Sequence, residues 1–184
     1  MAKTEQTSAI TDKGEVRRRA REHLEEGAVT ENYRADREAV INMLNEALAT
    51  ELVCVLRYRR HAFMAHGMNA TAVAEEFMEH SEEEQGHADL LSRRITQLNG
   101  EPNLNPEGML NRAHSEYVEG SSLAEMIKED LVAERVAIDS YREMIRYLGD
   151  DDPTSRRVIE EILAKEEEHA EDMSALLLTH TPNS

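Results

Sequence analysis

The sequence predicts an all-α protein, a four-helix bundle with one long crossover between the second and third helices. Three observations lead there. The 184 residues include only 8 glycines and 4 prolines amid abundant alanine, leucine, glutamate and arginine, a composition that favours helix over strand. Four long segments repeat apolar residues at spacings of three and four, the mark of one buried helix face. The connections between them run short, long, short, so the first pair and the last pair form antiparallel hairpins.

Residues 1–35 are polar and of mixed charge, punctuated by Gly14 and Gly27. Within them "EVRRRAREHLEE" (15–26) predicts a short helix, and the segment as a whole predicts a flexible or docking extension. The bundle domain spans 36–178. Its first helix runs from about Asp36 to His66 and stops at Gly67, and its second runs from about Ala70 to Leu98 and stops at Asn99-Gly100. Some twenty residues follow, "EPNLNPEGMLNRAHSEYVEGS", long for a bundle loop and enough to travel the length of the bundle. The third helix runs from about Ser122 to Leu148, before Gly149. The fourth begins at Asp152-Pro153, a capping residue followed by a first-turn proline, and runs to about Leu178. Residues 179–184 are a short tail.

Composition also excludes functions. A net charge of −17 argues against broad contact with nucleic-acid phosphates and favours the attraction of cations. The basic "VRRRAR" (16–21) is diluted by flanking acids, so DNA contact through this arm is an alternative that the charge balance does not favour. A single cysteine, Cys54, excludes an intrachain disulfide and any cysteine-only zinc or iron–sulfur site. No apolar run resembles a signal peptide and none is read as long enough to span a bilayer, so a soluble cytoplasmic protein without a membrane partner is expected.

The four apolar stripes are interrupted by charge. They read Val40, Leu44, Ala47, Glu51, Val55, Tyr58 and Ala62; Val73, Phe77, His80, Glu84, His87, Leu91 and Leu98; Leu123, Ile127, Leu131, Glu134, Ile138, Tyr141, Ile145 and Leu148; and Ile159, Ile162, Glu166, His169, Met173 and Leu176. Each stripe carries a carboxylate near its middle, and two have a histidine three positions further on. Buried unpaired carboxylates are costly, and four of them cannot neutralise one another, whereas two divalent cations can. The pattern is duplicated. Glu84 follows Glu51 by 33 positions and Glu166 follows Glu134 by 32, each second glutamate preceding its histidine, with Tyr58 and Tyr141 seven residues after the leading glutamates. Seven residues is close to two helical turns, so each tyrosine shares its glutamate's face. Carboxylate and imidazole donors without thiolates suit iron or manganese.

Other candidates carry blander readings. His80 is expected to be partly buried or to lie behind the ligands rather than among them. His61 and His66 are expected to be solvated near the end of the first helix or favourable to its dipole. His114, in the crossover, has no evident partner set. The remaining glutamates around 82–84 and 166–168 read as solvated, and Cys54 as a small buried hydrophobe. Tyr141 reads as a packed core residue, while Tyr58 is balanced between packing and a redox role.

From about Asp36 to Leu178 the chain resembles the bacterioferritin branch of the ferritin-like superfamily. "LNEALATELVCVLRYRRHAFM" resembles that family's first helix, "HADLLSRRITQLNGEPNL" its second helix and exit, "DLVAERVAIDSYREMI" its third and "EILAKEEEHAEDM" its fourth. The resemblance implies a ferritin-like bundle with ferroxidase ligands at Glu51, Glu84, His87, Glu134, Glu166 and His169, holding two iron ions per subunit, with manganese or zinc as substitutes. It implies bridging by Glu84 and Glu166, an electron-transfer role for Tyr58 and a place behind the ligands for Asp130. Two departures matter. The family's haem-binding methionine is replaced by Gln85, so the resemblance implies no haem at that position. Only 15 residues follow His169, too few for the family's fifth helix. The missing helix and the N-terminal extension look more like the Dps-like mini-ferritins, which implies a homo-oligomeric shell of twelve subunits in preference to twenty-four. Many of those carry a cysteine pair, which this chain lacks. The function implied is oxidation of Fe²⁺ by O₂ or H₂O₂ and storage or detoxification of the iron within the shell. The alternatives are a manganese catalase-like or oxygenase-like di-metal enzyme and a DNA-protecting mini-ferritin.

Overall fold

A computed structural model describes residues 10–67 and 70–180. Its elements are α1 (Lys13–Arg19), a 3-10 turn (Leu24–Glu26), α2 (Arg37–Met64), α3 (Ala70–Gln97), α4 (Met109–Arg112), α5 (Leu123–Leu148) and α6 (Pro153–His180). Helices α2, α3, α5 and α6 form the four-helix bundle. α2 packs along α3 and α5 along α6, and the two hairpins meet through α2–α5 and α3–α6 contacts.

The long helices begin where side chains can satisfy their free N–H groups. Asp36 accepts from the backbone of Ala39 at 3.1 Å, and Ser122 accepts from that of Glu125 at 3.2 Å. At α6 Asp152 accepts from the Ser155 N–H at 2.9 Å, ahead of Pro153 in the first turn. Asp152 is also buried against Arg94, which donates to its Oδ1 at 2.9 Å, and Tyr33 donates to its Oδ2 at 2.8 Å. One residue therefore caps α6, pairs with α3 and holds the N-terminal extension. The exit of α3 needs Gly100: a Cβ there would lie 2.8 Å from Ile41 Cγ2 on α2.

The extension docks on the bundle. Val29 enters the core beside Leu44, Leu98 and Ile159, and Asn99 donates to the Glu26 carbonyl at 3.0 Å. The single helix read over 15–26 is instead α1 followed by the 3-10 turn, broken where His23 takes a left-handed backbone with φ 50°. α6 continues two residues past Leu178, to His180, and residues 181–184 of the tail lie outside the described residues.

The crossover runs beside α2, tied by a row of polar side chains. Asn45 Oδ1 accepts from the Asn103 N–H at 2.7 Å, Thr50 Oγ1 accepts from the His114 N–H at 2.9 Å, and Arg57 donates to the Glu116 carbonyl at 2.9 Å. His61 closes the row. It is fully buried, with Nε2 3.1 Å from the carbonyls of Val118 and Glu119 and Nδ1 2.8 Å from Asp130. The expectation of a solvated His61 is wrong, because its partners come from the crossover and α5. His66 is exposed beyond the end of α2. His114 does have partners: its ring Nδ1 lies 3.3 Å from Thr50 Oγ1.

By length and composition α2 is apolar enough to cross a membrane, contrary to the expectation that no segment was, and over half of the qualifying window is buried inside the bundle. Its apolar side is core, and the same helix buries Glu51, Arg57 and His61.

The apolar core comes in two parts. One, at the bundle end nearer the extension, holds Leu44, Leu48, Leu91, Ile95, Leu148, Ile159 and Ile162. The other holds Tyr58, Val73, Phe77, Ile127 and Met173. Glu51, Glu84, His87, Glu134, Glu166 and His169, all buried, lie between them.

Candidate metal centre

Each long helix contributes at its middle. α2 presents Glu51, α3 Glu84 and His87, α5 Glu134, and α6 Glu166 and His169; their relative exposures run from 0 to 8%. The helical period puts each glutamate and the histidine three positions later on one face, and antiparallel packing brings the four faces to one depth. Within the described residues two four-donor sets result: Glu51, Glu84, His87 and Glu166, and Glu84, Glu134, Glu166 and His169, the donor atoms of each set lying within 4.8 Å of one another. Glu84 and Glu166 belong to both.

The sharing is visible atom by atom. His87 Nδ1 is 3.1 Å from Glu84 Oε2 and 3.0 Å from Glu166 Oε1. His169 Nδ1 is 3.5 Å from Glu84 Oε1 and 3.5 Å from Glu166 Oε2. Each shared carboxylate thus turns one oxygen to each imidazole. Glu51 Oε2 lies 3.2 Å from His87 Nδ1 and completes the first set, while Glu134 completes the second.

Polar atoms here are left without partners. Glu84 Oε1, Glu134 Oε2, both oxygens of Glu166 and His169 Nδ1 are buried and form no hydrogen bond. Native interiors seldom leave such atoms unsatisfied, and these five converge on one spot. Two divalent cations would satisfy them, so the residues fit a pair of metal ions.

Protonation follows the same crowding. Burial, and then the charges of Glu84 and Glu166, push the carboxyls of Glu51 and Glu134 well above the usual carboxylate range. Burial also opposes ionisation of Glu84 and Glu166, as the Glu84 charge does for Glu166, but the Glu51 carboxyl and the imidazoles beside Glu84, and the imidazoles and the Glu134 carboxyl beside Glu166, outweigh it and hold both low. For His87 and His169 burial disfavours the cation, and the surrounding carboxylates outweigh it, raising His169 to about 11 and His87 further. The crowding therefore favours protons on the two imidazoles and on Glu51 and Glu134, and ionised Glu84 and Glu166.

Residues around the centre complete it. Tyr58 donates to Glu134 Oε1 and Tyr141 donates to Glu51 Oε1. Each tyrosine thus serves the glutamate of the opposite hairpin, not the one on its own helix. Tyr141, read as core packing, is fully buried and is also a donor to the centre. Glu83, read as solvated, is half-buried, and His169 Nε2 donates to its Oε2 at 2.7 Å. A carboxylate on the far nitrogen of a metal-facing histidine fixes its tautomer and ring orientation. The clue was Glu83's position three residues after the inward His80. His80 is 2% exposed, as its reading allowed, and stacks on His169 with ring centroids 4.0 Å apart. Asp130 is fully buried, but its partners are Arg57 Nε at 2.8 Å and His61, not the clustered glutamates. Gln85 is exposed and donates to Asp89 at 3.2 Å. Cys54 is buried, as expected.

Comparisons with known proteins converge on one family. A family model described as the ferritin-like domain matches residues 41–180. A bacterioferritin of Streptomyces coelicolor is 35% identical over 139 residues, 75% of this chain and 79% of the relative. Among solved structures, the dodecameric thioferritin of Bacteroides fragilis, a bacterioferritin-related protein, is 32% identical with a TM-score of 0.76, covering 79% of this chain and 88% of that one. The Rhodobacter capsulatus bacterioferritin, solved with a metal-free dinuclear site and haem iron, is 28% identical with a TM-score of 0.68, covering 80% of this chain and 88% of that one. With the helical architecture and the matched length taken together, the chain belongs to the ferritin-like domain family, with bacterioferritins among its relatives.

Proposed function

We propose that the protein is a ferroxidase. It takes Fe²⁺ as substrate, two ions per subunit, at Glu51, Glu84, His87, Glu134, Glu166 and His169, and passes the oxidised iron to storage within a homo-oligomeric shell. The observation that carries this reading is the pair of four-donor sets joined through Glu84 and Glu166, with unsatisfied carboxylate oxygens facing each other between them. In the ferritin-like family, glutamates and Glu-x-x-His pairs on four helices hold such a pair.

The chain's own groups define the work of the site. His87 and His169 give up their protons and turn Nδ1 inward, with Glu83 holding the far nitrogen of His169. Glu51 and Glu134 lose their protons while accepting the hydrogens of Tyr141 and Tyr58. Four carboxylates then supply the negative charge that favours Fe³⁺ over Fe²⁺. The two Fe²⁺ ions supply one electron each. H₂O₂ takes both with two protons and leaves as two waters, whereas O₂ taking the same electrons and protons leaves as H₂O₂. Manganese or zinc would occupy the same donors.

The dodecameric state of the Bacteroides fragilis relative supports a twelve-subunit shell. With Gln85 in place of a thioether, the reading includes no haem at that position. The DNA-binding alternative loses support because two arginines of the basic arm are already paired: Arg18 and Arg19 bind Glu15 at 2.9 and 2.7 Å.

Stopped-flow oxidation of anaerobically loaded Fe²⁺ tests the proposal. Glu84→Ala with His87→Ala should abolish the fast phase while far-UV circular dichroism stays helical. Unchanged kinetics would overturn the site, and light scattering distinguishes twelve subunits from twenty-four by a twofold difference in mass.

A further inference from the structure

The duplication that builds the centre has a local exception. Corresponding positions of α3 and α6 lie 82 residues apart, as Glu84 and Glu166 show. By that offset Glu76 corresponds to Val158, His80 to Ile162 and Asp172 to Leu90. One half of the bundle places apolar residues at these positions, and the other places a histidine between two carboxylates. The donor atoms of Glu76, His80 and Asp172 lie within 4.8 Å of one another.

The histidine ties the cluster together. The Tyr58 hydroxyl gives its hydrogen to Glu134, so toward His80 Nδ1, 3.3 Å away, it acts as acceptor. His80 Nδ1 then carries the proton and Nε2 keeps its lone pair. That nitrogen belongs to a ring only 2% exposed and faces Glu76 Oε1 at 3.5 Å and Asp172 Oδ2 at 3.7 Å. These separations lie at or beyond the limit for a hydrogen bond. A lone pair facing two carboxylate oxygens is repelled by both, and a metal cation set among the three would turn that repulsion into attraction. The spacing suits one, since donors about 2.1 Å from a tetrahedrally bound ion stand roughly 3.4 Å apart.

We infer that Glu76, His80 and Asp172 form a third site for a divalent transition-metal cation, outside the paired centre. Glu83 is not part of it, because its oxygens already face His169 and Lys165. With three protein donors and an exposed Asp172, the site leaves room for water in the remaining positions and binds more weakly than the four-donor sets. It does not depend on the paired centre oxidising iron.

Anaerobic titration with Co²⁺ tests the inference, together with cobalt-edge anomalous diffraction of crystals of the intact protein. The wild type should bind three Co²⁺ per subunit, two tightly and one more weakly, with a peak at His80 Nε2. Glu76→Gln with Asp172→Asn should lose the weak ion and keep the tight pair. Glu84→Ala with His87→Ala should keep the weak one. No cobalt peak at His80 in the wild type, or three ions retained after Glu76→Gln with Asp172→Asn, would overturn the third site. Loss of the tight pair alone from the wild type would overturn the paired centre and uphold the third site.

Discussion

Replacing Glu84 and His87 together by alanine strips the first donor set of two of its four members and the second of one, because Glu84 belongs to both. The effect is read from heat stability. A ligand that binds only the folded state at a thousand times its dissociation constant stabilises by about 4 kcal/mol per site, so two sites contribute about 8 kcal/mol. In a domain of this size each kcal/mol moves the melting temperature by about 2–4 °C, which puts the loaded wild type roughly 15–30 °C above its metal-free form. The double variant should lose most of that rise. Circular dichroism melts with and without Zn²⁺, at one fixed protein concentration, measure it. Emptying side-chain volume in mid-bundle costs about 2–5 kcal/mol per large-to-small change, so Glu84→Gln, which keeps the shape and loses the charge, is melted alongside. A variant that keeps the wild-type rise, or a wild type without one, would refute the reasoning.

Four further outcomes are expected. His169, raised to about 11, and His87, also raised, favour the protonated form, as do the raised carboxyls of Glu51 and Glu134, so cation binding there should expel protons from the imidazoles and from these two carboxyls and weaken as the pH falls; titration calorimetry in buffers of different ionisation enthalpy measures the total release, and no release would contradict it. The raised His169 value also means that its contribution to metal-free stability is complete below its ordinary pKa and fades as pH rises towards about 11, which melts across that window will show or deny. Glu83→Gln leaves the Nε2 hydrogen of His169 on a neutral acceptor and should weaken the second donor set about 10–100-fold with little effect on the first, by Co²⁺ titration; equal weakening of both would count against the assignment. Arg94→Ala leaves Asp152 buried without its cation and should cost about 3–5 kcal/mol in urea unfolding, whereas a loss under 1 kcal/mol would show that Tyr33 and Ser155 suffice.

The parts of this molecule that were legible in the sequence are those that repeat with a helical period. The four long helices follow from their stripes, and Asp36, Ser122 and Asp152 mark their starts because capping is local chemistry. The six clustered donors stand out because an inward carboxylate is anomalous and the anomaly occurs in each stripe. What was missed depends on contacts between distant segments. His61 looks like a helix-end residue until Asp130, 69 positions away, and the crossover carbonyls close over it. Glu83 looks solvated beside the inward Glu84, and only the packing of α6 against α3 brings it to His169. Tyr141 shares a face with Glu134 along its own helix, yet its hydroxyl reaches Glu51 across the bundle. The extension's docking rests on Val29 and Tyr33, two residues without a periodic context.

Anomalous diffraction at the iron edge, from crystals loaded anaerobically with Fe²⁺, tests the central claim most directly. The account predicts two iron peaks in each subunit, about 3.5–4 Å apart as in other two-metal sites, one beside His87 and one beside His169, with Glu84 and Glu166 reaching both. A single peak, or iron bound only away from these six side chains, would contradict it.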